Sequence, residues 1–477
     1  MRLIVLLLAG FLVAGCAIGP NYVRPDTERA DAFKEAQGWK PANPIDHLPR
    51  GNWWEVYADT QLNQLMEQVD ISNQGLKQAE AQFRAARALV QSARAAYFPT
   101  IGTNASADRS RGTMSRLLNS GNAQSAGVKT SYAVSLDASW ELDLWGRLRR
   151  ASESAQANAA ASAADLTAAR LSIQAELAQD YFQLRVTEEE KSFLDDEIAG
   201  FQRSLKISRN QYAAGVAKRS DVLQAETQLK STQASALDLQ ITRAQLEHAI
   251  AVLIGRNPSK FSLTVQPLNA LVPVIPIGLP SELLERRPDI AAAERRVIGA
   301  NAQIGVARAA YFPSLNLSGT LGYQNSAIDD LISAANRVWS VGPALALTLF
   351  DAGSRRAASR QAVANYDATA AAYRQTTLTA FQEVEDHLVA LRVLGDEQTV
   401  QDAATQAAKD AESIMLNQYK AGTVSYLAVV IAQSTALRNA RNSLSIRGRN
   451  LVASVALIKA LGGGWSASDA ETRAASQ

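Results

Sequence analysis

The chain has 477 residues, and its 48 lysines and arginines nearly balance 46 aspartates and glutamates. The formal net charge is +2 with the two signs interspersed, so the basic footprint of a nucleic-acid-binding protein is absent and no nucleic-acid partner is expected. One cysteine excludes an internal disulfide, and three scattered histidines, His47, His248 and His387, lack metal-ligand spacing.

The first fifteen residues read as an export signal. Arg2 supplies the positive start, and Leu3 to Val13 is an apolar run too short to span a bilayer. Val13-Ala14-Gly15-Cys16 has the form of the lipobox of bacterial lipoproteins, and the only cysteine stands at the one position that motif needs. By that resemblance, cleavage precedes Cys16, which is then acylated. Ala17 follows where Asp would be the usual inner-membrane retention signal, which favours the outer membrane. Residues 16–59 are expected to form a lipidated arm and part of an equatorial region, irregular as far as about Gly51.

Helical periodicity opens after Trp53-Trp54 and continues to Tyr97. Ala93-Arg-Ala-Ala-Tyr-Phe-Pro99 then recurs, residue for residue, as Ala307-Arg-Ala-Ala-Tyr-Phe-Pro313. Proline cannot continue a helix and biases its predecessor toward extended geometry, so each copy is a helix-to-strand switch. Seven identical residues at this offset predict an internal duplication: repeat 1 over 60–255 and repeat 2 over 288–461, joined by a Pro-rich segment 256–287 and followed by a tail 462–477.

In repeat 1 the strand pair is expected within 100–144. Tyr132, Val134, Leu136, Ala138, Trp140, Leu142 and Leu144 alternate with Ala133, Ser135, Asp137, Ser139, Glu141 and Asp143. Period two places one set on each face; a soluble sheet with one wet face reads the same, but the length and the export signal favour a membrane barrel strand. A very long helix over 148–212, far beyond globular lengths, and a return helix over 220–255 follow, with Ser220 or Asp221 as the N-cap. Repeat 2 repeats the order: strands within 314–350, a long helix over 354–419 and a return helix over 424–461. Four strands leave two open edges that a bilayer core cannot satisfy, so the sheet must close with further copies of itself. The helices are too long for a globule and are expected to pack as a hollow coiled extension. An exported, lipidated barrel joined to a helical tube is a conduit.

The chain resembles the TolC family, and closely its lipoprotein branch, the outer-membrane factors of RND-type tripartite efflux pumps. The motifs that carry the resemblance span the mature chain: Cys16 to Pro25, Trp53-Trp54, Trp140-Glu-Leu-Asp-Leu-Trp-Gly-Arg-Leu-Arg-Arg150, Leu279 to Ile290, the two Tyr-Phe-Pro junctions, Ala380-Phe-Gln-Glu-Val-Glu-Asp386 and Lys459-Ala-Leu-Gly-Gly-Gly-Trp465. The resemblance implies a mixed α and β fold: a homotrimer with a twelve-stranded barrel in the outer membrane, a periplasmic α-helical barrel and an equatorial belt. It implies a lipid anchor on the periplasmic side. It further implies that the helical tips meet a periplasmic adaptor and an inner-membrane RND-type transporter, and that the duct passes drugs or other small toxic compounds. A protein-secretion duct is the alternative within the family; the lipobox and the Leu279 to Ile290 motif favour efflux.

By the same resemblance, Tyr212, Gly215, Tyr419 and Gly422 mark the adaptor-facing tips, and Asp221 bonds Tyr419 to lock the helices inward. Val424 stands where a basic residue often assists. The usual pore aspartate is replaced by Ile431, which either forms an apolar collar in the lumen or packs between helices. Asp410 and Glu412 are the acidic alternatives for the constriction. No enzyme and no cofactor are expected: Gly462-Gly463-Gly464 lacks the Lys-Ser/Thr of a phosphate loop, no nucleophile elbow is present, and Glu383, Glu385, Asp386 and His387 read as a polar helix face.

Overall fold

The computed structural model describes residues 17–26, 51–111, 128–268, 270, 272–273 and 287–463. The export signal, Cys16, most of the arm, residues 274–286 and the tail from 464 lie outside the described residues. The elements are α1 (Thr60–Ser72), α2 (Gln74–Ala95), β1 (Thr100–Arg111), β2 (Val128–Leu142), α3 (Arg147–Ala213), α4 (Arg219–Leu253), α5 (Pro288–Ala309), β3 (Ser314–Asn325), β4 (Arg337–Ala346), α6 (Ser354–Lys420) and α7 (Tyr426–Ala460).

The duplication is written in the element lengths. α3 and α6 have 67 residues each, α4 and α7 have 35, α2 and α5 have 22, and β1 and β3 have 12. At 1.5 Å per residue the longest pair measure about 100 Å. Among the described residues no helix is long and apolar enough to cross a membrane.

The helical run expected from Thr60 to Tyr97 breaks at Asn73, whose ψ of 125° is extended. Its side chain explains the break. Oδ1 accepts from the Leu76 amide at 2.8 Å to cap α2, while Nδ2 donates to the Leu253 carbonyl at 2.6 Å. The expected N-cap of α4 also moves: the cap is Lys218, and Asp221 is the third residue of the helix, its carboxylate accepting from the Lys218 backbone amide at 3.4 Å.

One compact unit comprises residues 1–26, 83–162 and 293–373. Its centre is an antiparallel sheet in the order β1-β2-β3-β4. The register separates the faces. Leu136, Leu321 and Trp339 lie side by side, as do Ile101, Ala138, Gly319 and Val341, and Leu142, Leu315 and Leu345. The other face carries the rows Gly102, Asp137, Thr320, Ser340 and Thr100, Ser139, Ser318. There the Asp137 carboxylate accepts from Thr320 Oγ1 at 2.7 Å and Ser135 Oγ at 2.9 Å. β2 ends at Leu142 and β4 at Ala346, short of the expected 144 and 350, because their common partner β3 begins only at Ser314, directly after Pro313; beyond them, acidic residues cap helices. Asp143 accepts from the Leu148 and Arg149 amides, and Asp351 from the Gly353 and Arg355 amides. Gly146 and Gly353, at φ of +79° and +89°, make the two equivalent turns.

The arm is pinned to this unit. The Ile18 amide donates to the Trp145 carbonyl at 3.0 Å, Arg150 reaches Asn21 at 2.9 Å, and Arg24 grips Glu294 with two bonds of 2.7 and 2.9 Å. Where the arm crosses α5, Gly19 meets Gly305 so closely that a Cβ on Gly19 would lie 2.5 Å from the Gly305 Cα.

The second unit comprises residues 27–82, 163–292 and 374–477. Its core joins Trp53, Trp54 and Tyr57 to Leu62, Met66, Tyr181, Phe182, Leu451 and Ile458. Beside it lies a buried charge ladder. Arg185, 1 % exposed, pairs with Glu188 and donates to the Thr264 carbonyl at 3.1 Å, with its guanidinium 4.8 Å from the Tyr181 ring. Arg243 continues the ladder, donating to Glu188 at 2.9 Å and Glu247 at 3.3 Å. Arg287 joins Glu383 at 2.6 Å and the Ala460 carbonyl at 3.2 Å, so part of the expected polar helix face serves as a structural partner.

Candidate functional site

The functional candidates are the two-faced sheet of the first unit and the helix turns of the second. On the sheet, Ile101, Leu136, Leu321, Trp339, Val341 and Leu345 are exposed, Trp339 at 71 %, in one continuous apolar face. An apolar face of this extent on an isolated chain marks a surface meant for a partner or for lipid. Among the described residues, β1 and β4 each pair on one side only.

Both helical hairpins turn by the same device. The Gly215 amide donates to the Tyr212 carbonyl and the Val216 amide to the Gln211 carbonyl; Gly422 and Thr423 do the same toward Tyr419 and Gln418. This is the Schellman termination, which requires a left-handed residue after the helix. Gly215 and Gly422 supply it at φ of +74° and +75°.

The turns differ in their aromatic residues. Tyr212 is 48 % exposed, whereas its repeat counterpart Tyr419 is 6 % exposed. The bond expected between Asp221 and Tyr419 is not formed. Asp221 is spent locally on the Lys218 amide and the Ser220 hydroxyl, because a carboxylate in the first turn of a helix meets unpaired amides there. Tyr419 instead pairs its hydroxyl with Ser208 at 3.4 Å, and its ring lies 5.1 Å from that of Tyr426. Tyr426 is 1 % exposed and faces the Ser204 hydroxyl; burial pushes its phenol up to about 12. Phe201, Leu205, Leu229 and Val429 complete the cluster, and Val424 packs against it. Ser204, Ser208 and Tyr426 were missed by the sequence reading. Their signal is present, since Ser204 and Ser208 interrupt the stripe of Ile198, Phe201, Leu205 and Tyr212 on one helix face.

The constriction candidates separate. Ile431 is 59 % exposed, so it does not pack between helices of its own chain, and Leu427, one turn earlier, is also exposed. Asp410 is exposed and accepts from Gln406 at 3.0 Å. Glu412 is half-buried beside Gln433, and burial raises its carboxyl above the ordinary range; Glu197 is raised by burial and then by Glu412. A cavity of about 500 Å³ beside Tyr57, Gln61, Gln64 and Gln266 offers no obvious chemistry, because Asp59, which lines it, is committed to the Gln61 and Leu62 amides and to Tyr181. Among the described residues no group of three acidic, His or Cys side chains is placed to hold a metal.

Comparison with known proteins matches residues 65–256 and 279–463 to the family model described as outer membrane efflux protein. The probable efflux pump outer membrane protein TtgC of Pseudomonas putida is 29% identical over 466 residues, covering 97% of this chain and 96% of that protein. The outer membrane protein OprJ of Pseudomonas aeruginosa is 31% identical over 462 residues, 96% of this chain and 95% of its own. Among solved structures, the outer-membrane channel OprN superposes with a TM-score of 0.86 at 34% identity, covering 94% of this chain and all of that one.

Proposed function

The chain belongs to the outer membrane efflux protein family, and we propose that three copies of it form the outer-membrane duct of a tripartite efflux pump. The observation that carries this reading is the sheet: one face apolar and exposed, the other polar, with an open edge at each end. A bilayer leaves no backbone group unpaired, so the edges must be closed by copies of the same sheet. Twelve strands from three chains leave a lumen that eight would fill with side chains. The apolar faces then meet lipid and the rows of Asp137 and Thr320 line water. The helical hairpins extend into the periplasm, where the turns at Gly215 and Gly422 dock a periplasmic adaptor that connects to an inner-membrane RND-type transporter. The cargo is drugs or other small toxic compounds, in keeping with relatives named as efflux pump proteins.

Cys16 carries the lipid anchor in this reading. Residues 17–24 are held against Trp145, Arg150 and Glu294, next to the strand ends, which would deliver acyl chains at the membrane boundary. Native mass measurement of detergent-extracted protein is expected to give three chains, each with an acyl mass that Cys16→Ser removes. A monodisperse monomer with its strand content intact refutes the shared barrel, and an unchanged mass in the variant refutes the anchor. Deleting the gene is expected to raise susceptibility to exported drugs, restored by complementation.

Ile431 and Leu427 form an apolar collar near the tips. Three aspartates at such a level would make a negative constriction that attracts cations, whereas an apolar ring hinders ions by dewetting. The wild-type channel is therefore expected to resist block by a trivalent cation in planar bilayers, and Ile431→Asp to introduce that block. Strong block of the wild type instead moves the gate to Asp410 or Glu412. No block in the variant places Ile431 against a neighbouring chain.

A further inference from the structure

We propose that the groove between α6 of one chain and α2 of the next binds an anionic phospholipid of the periplasmic leaflet, its phosphate held by Arg94 of one chain and Arg356 of the other. The inference rests on the conduit reading above and adds a lipid site to it.

Strand order decides which helices meet. α2 leads into β1 and α6 follows β4, the two edges of the sheet. When β4 of one chain closes on β1 of the next, α6 of the first stands beside α2 of the second. Within the chain α3 and α5 are related in the same way, through the paired strands β2 and β3. The assembly therefore alternates two kinds of groove, and the duplication makes them counterparts.

The α3–α5 groove is filled by the arm. Gly19 lies against Gly305, the Pro20 carbonyl accepts from Asn301 at 3.0 Å, and Asn21 accepts from Arg150 at 2.9 Å. The arm carries the anchor in the reading above, so this groove faces outward, and its counterpart does too. The arginines of the filled groove are answered within it: Arg149 by Asp143 at 3.3 Å and Arg150 by Glu153 at 2.8 Å.

The counterpart is different. At the 214-residue offset that superposes Tyr97 on Tyr311, Asn301 becomes Arg87 and Gly305 becomes Gln91, while Arg308 is kept as Arg94. At the 207-residue offset that superposes Gly146 on Gly353, Arg149 is kept as Arg356, but Arg150 becomes Ala357 and Glu153 becomes Arg360. Thus the arm's contacts are lost and the acid is exchanged for a base. No acidic residue occurs from Arg84 to Pro99 or from Arg355 to Tyr366. Asp351 is held by Arg355 at 2.6 Å. Among the described residues Arg87, Arg94, Arg356 and Arg360 are exposed and have no acidic partner within ion-pair distance.

The level of these residues indicates the ligand. Arg94 stands six residues before β1 and Arg356 ten after β4, just below the apolar face of the sheet. Phe98, between Arg94 and the strand, is 69 % exposed. A long arginine stem rests on apolar surface while its head reaches the headgroup layer. The guanidinium fork matches phosphate with two parallel bonds, and basic pockets beside membrane spans collect anionic headgroups. Arg87 and Arg360, two turns and one turn farther down, keep the groove positive below the headgroup. A zwitterionic lipid answers its own phosphate and gains less there.

The test is native mass spectrometry of the full-length, delipidated assembly titrated with phosphatidylglycerol or phosphatidylcholine. Three phosphatidylglycerols per three chains are expected to bind, in preference to phosphatidylcholine. Arg94→Gln and Arg356→Gln are each expected to weaken that binding about fivefold, the loss of one basic contact at an anionic surface. Arg308→Gln, the repeat counterpart of Arg94 in the arm-filled groove, is expected to leave it unchanged. If Arg94→Gln does not assemble, Arg356→Gln is read in its place. Equal affinity for the two lipids, wild-type affinity in the assembled variants, or equal weakening by Arg308→Gln overturns the groove site. Single chains in the wild-type spectrum would instead defeat the shared barrel, and the groove with it.

Discussion

Glu188→Ala is expected to destabilise the protein by about 3–5 kcal/mol, the cost of leaving a buried charge without its partner. The Glu188 side chain is 2 % exposed and lies between two guanidiniums, Arg185 and Arg243. Removing it leaves Arg185 fully buried with, among the described residues, the Gln61 side chain, the Thr264 carbonyl and the Tyr181 ring to hold its charge. Arg243 retains Glu247 and is 22 % exposed, so it relaxes toward water at less cost. Glu188→Gln, which keeps the shape and one acceptor oxygen, is expected to cost less. The measurement is the heat-dissociation midpoint of the detergent-solubilised assembly. Equal midpoints for wild type and Glu188→Ala would mean that the ladder is solvated in the working protein and contributes little.

Two glycines in one strand give the second large effect. A Cβ on Gly322 would lie 2.3 Å from the Val134 carbonyl oxygen and 2.7 Å from the Ser135 Cα, both backbone atoms of the neighbouring strand. At Gly319 the nearest atoms are 3.6 Å or more away. Gly322→Ala therefore forces β2 and β3 apart, beyond the about 1–3 kcal/mol of ordinary overpacking, since backbone cannot rotate out of the way. Gly319→Ala adds only a methyl to the apolar face. The first is expected to abolish heat-resistant assembly and the second to preserve it. Because both changes share residue type and strand, intrinsic strand preference cancels between them. Assembly of both variants alike would show that the strands part easily at Gly322.

The features legible in the sequence were the periodic and the repeated. Tyr-Phe-Pro marked both helix-to-strand switches, and the alternation from Tyr132 to Leu142 sorted the faces of β2 as the register does. The features that were not legible depend on groups distant in sequence or on local competition. Asn73 breaks a helix partly for the sake of the Leu253 carbonyl, 180 residues away. β2 and β4 end where their partner β3 begins at Ser314, and Asp143 and Asp351 beyond them turn to helix amides. The local bonds of Asp221 were not legible for a similar reason: its carboxylate is drawn to the backbone amide at the start of its own helix. The serine partners of the tyrosines were visible as polar residues in an apolar stripe, but nothing along the chain names the ring that each one meets.

The equal lengths of α3 and α6, and of α4 and α7, carry a consequence for how such a chain can change. One residue inserted into a continuous helix turns everything beyond it by about 100° and advances it by about 1.5 Å. Both hairpins must bring Ser208 and Tyr419 to the same level, so an insertion in one helix is tolerated only with a matching one in the other. The connections between strands bear no such constraint: β1 and β2 are separated by residues 112–127, β3 and β4 by only 326–336. Length variation among descendants of this chain should therefore accumulate in strand connections, while the long helices change by substitution alone or lengthen together.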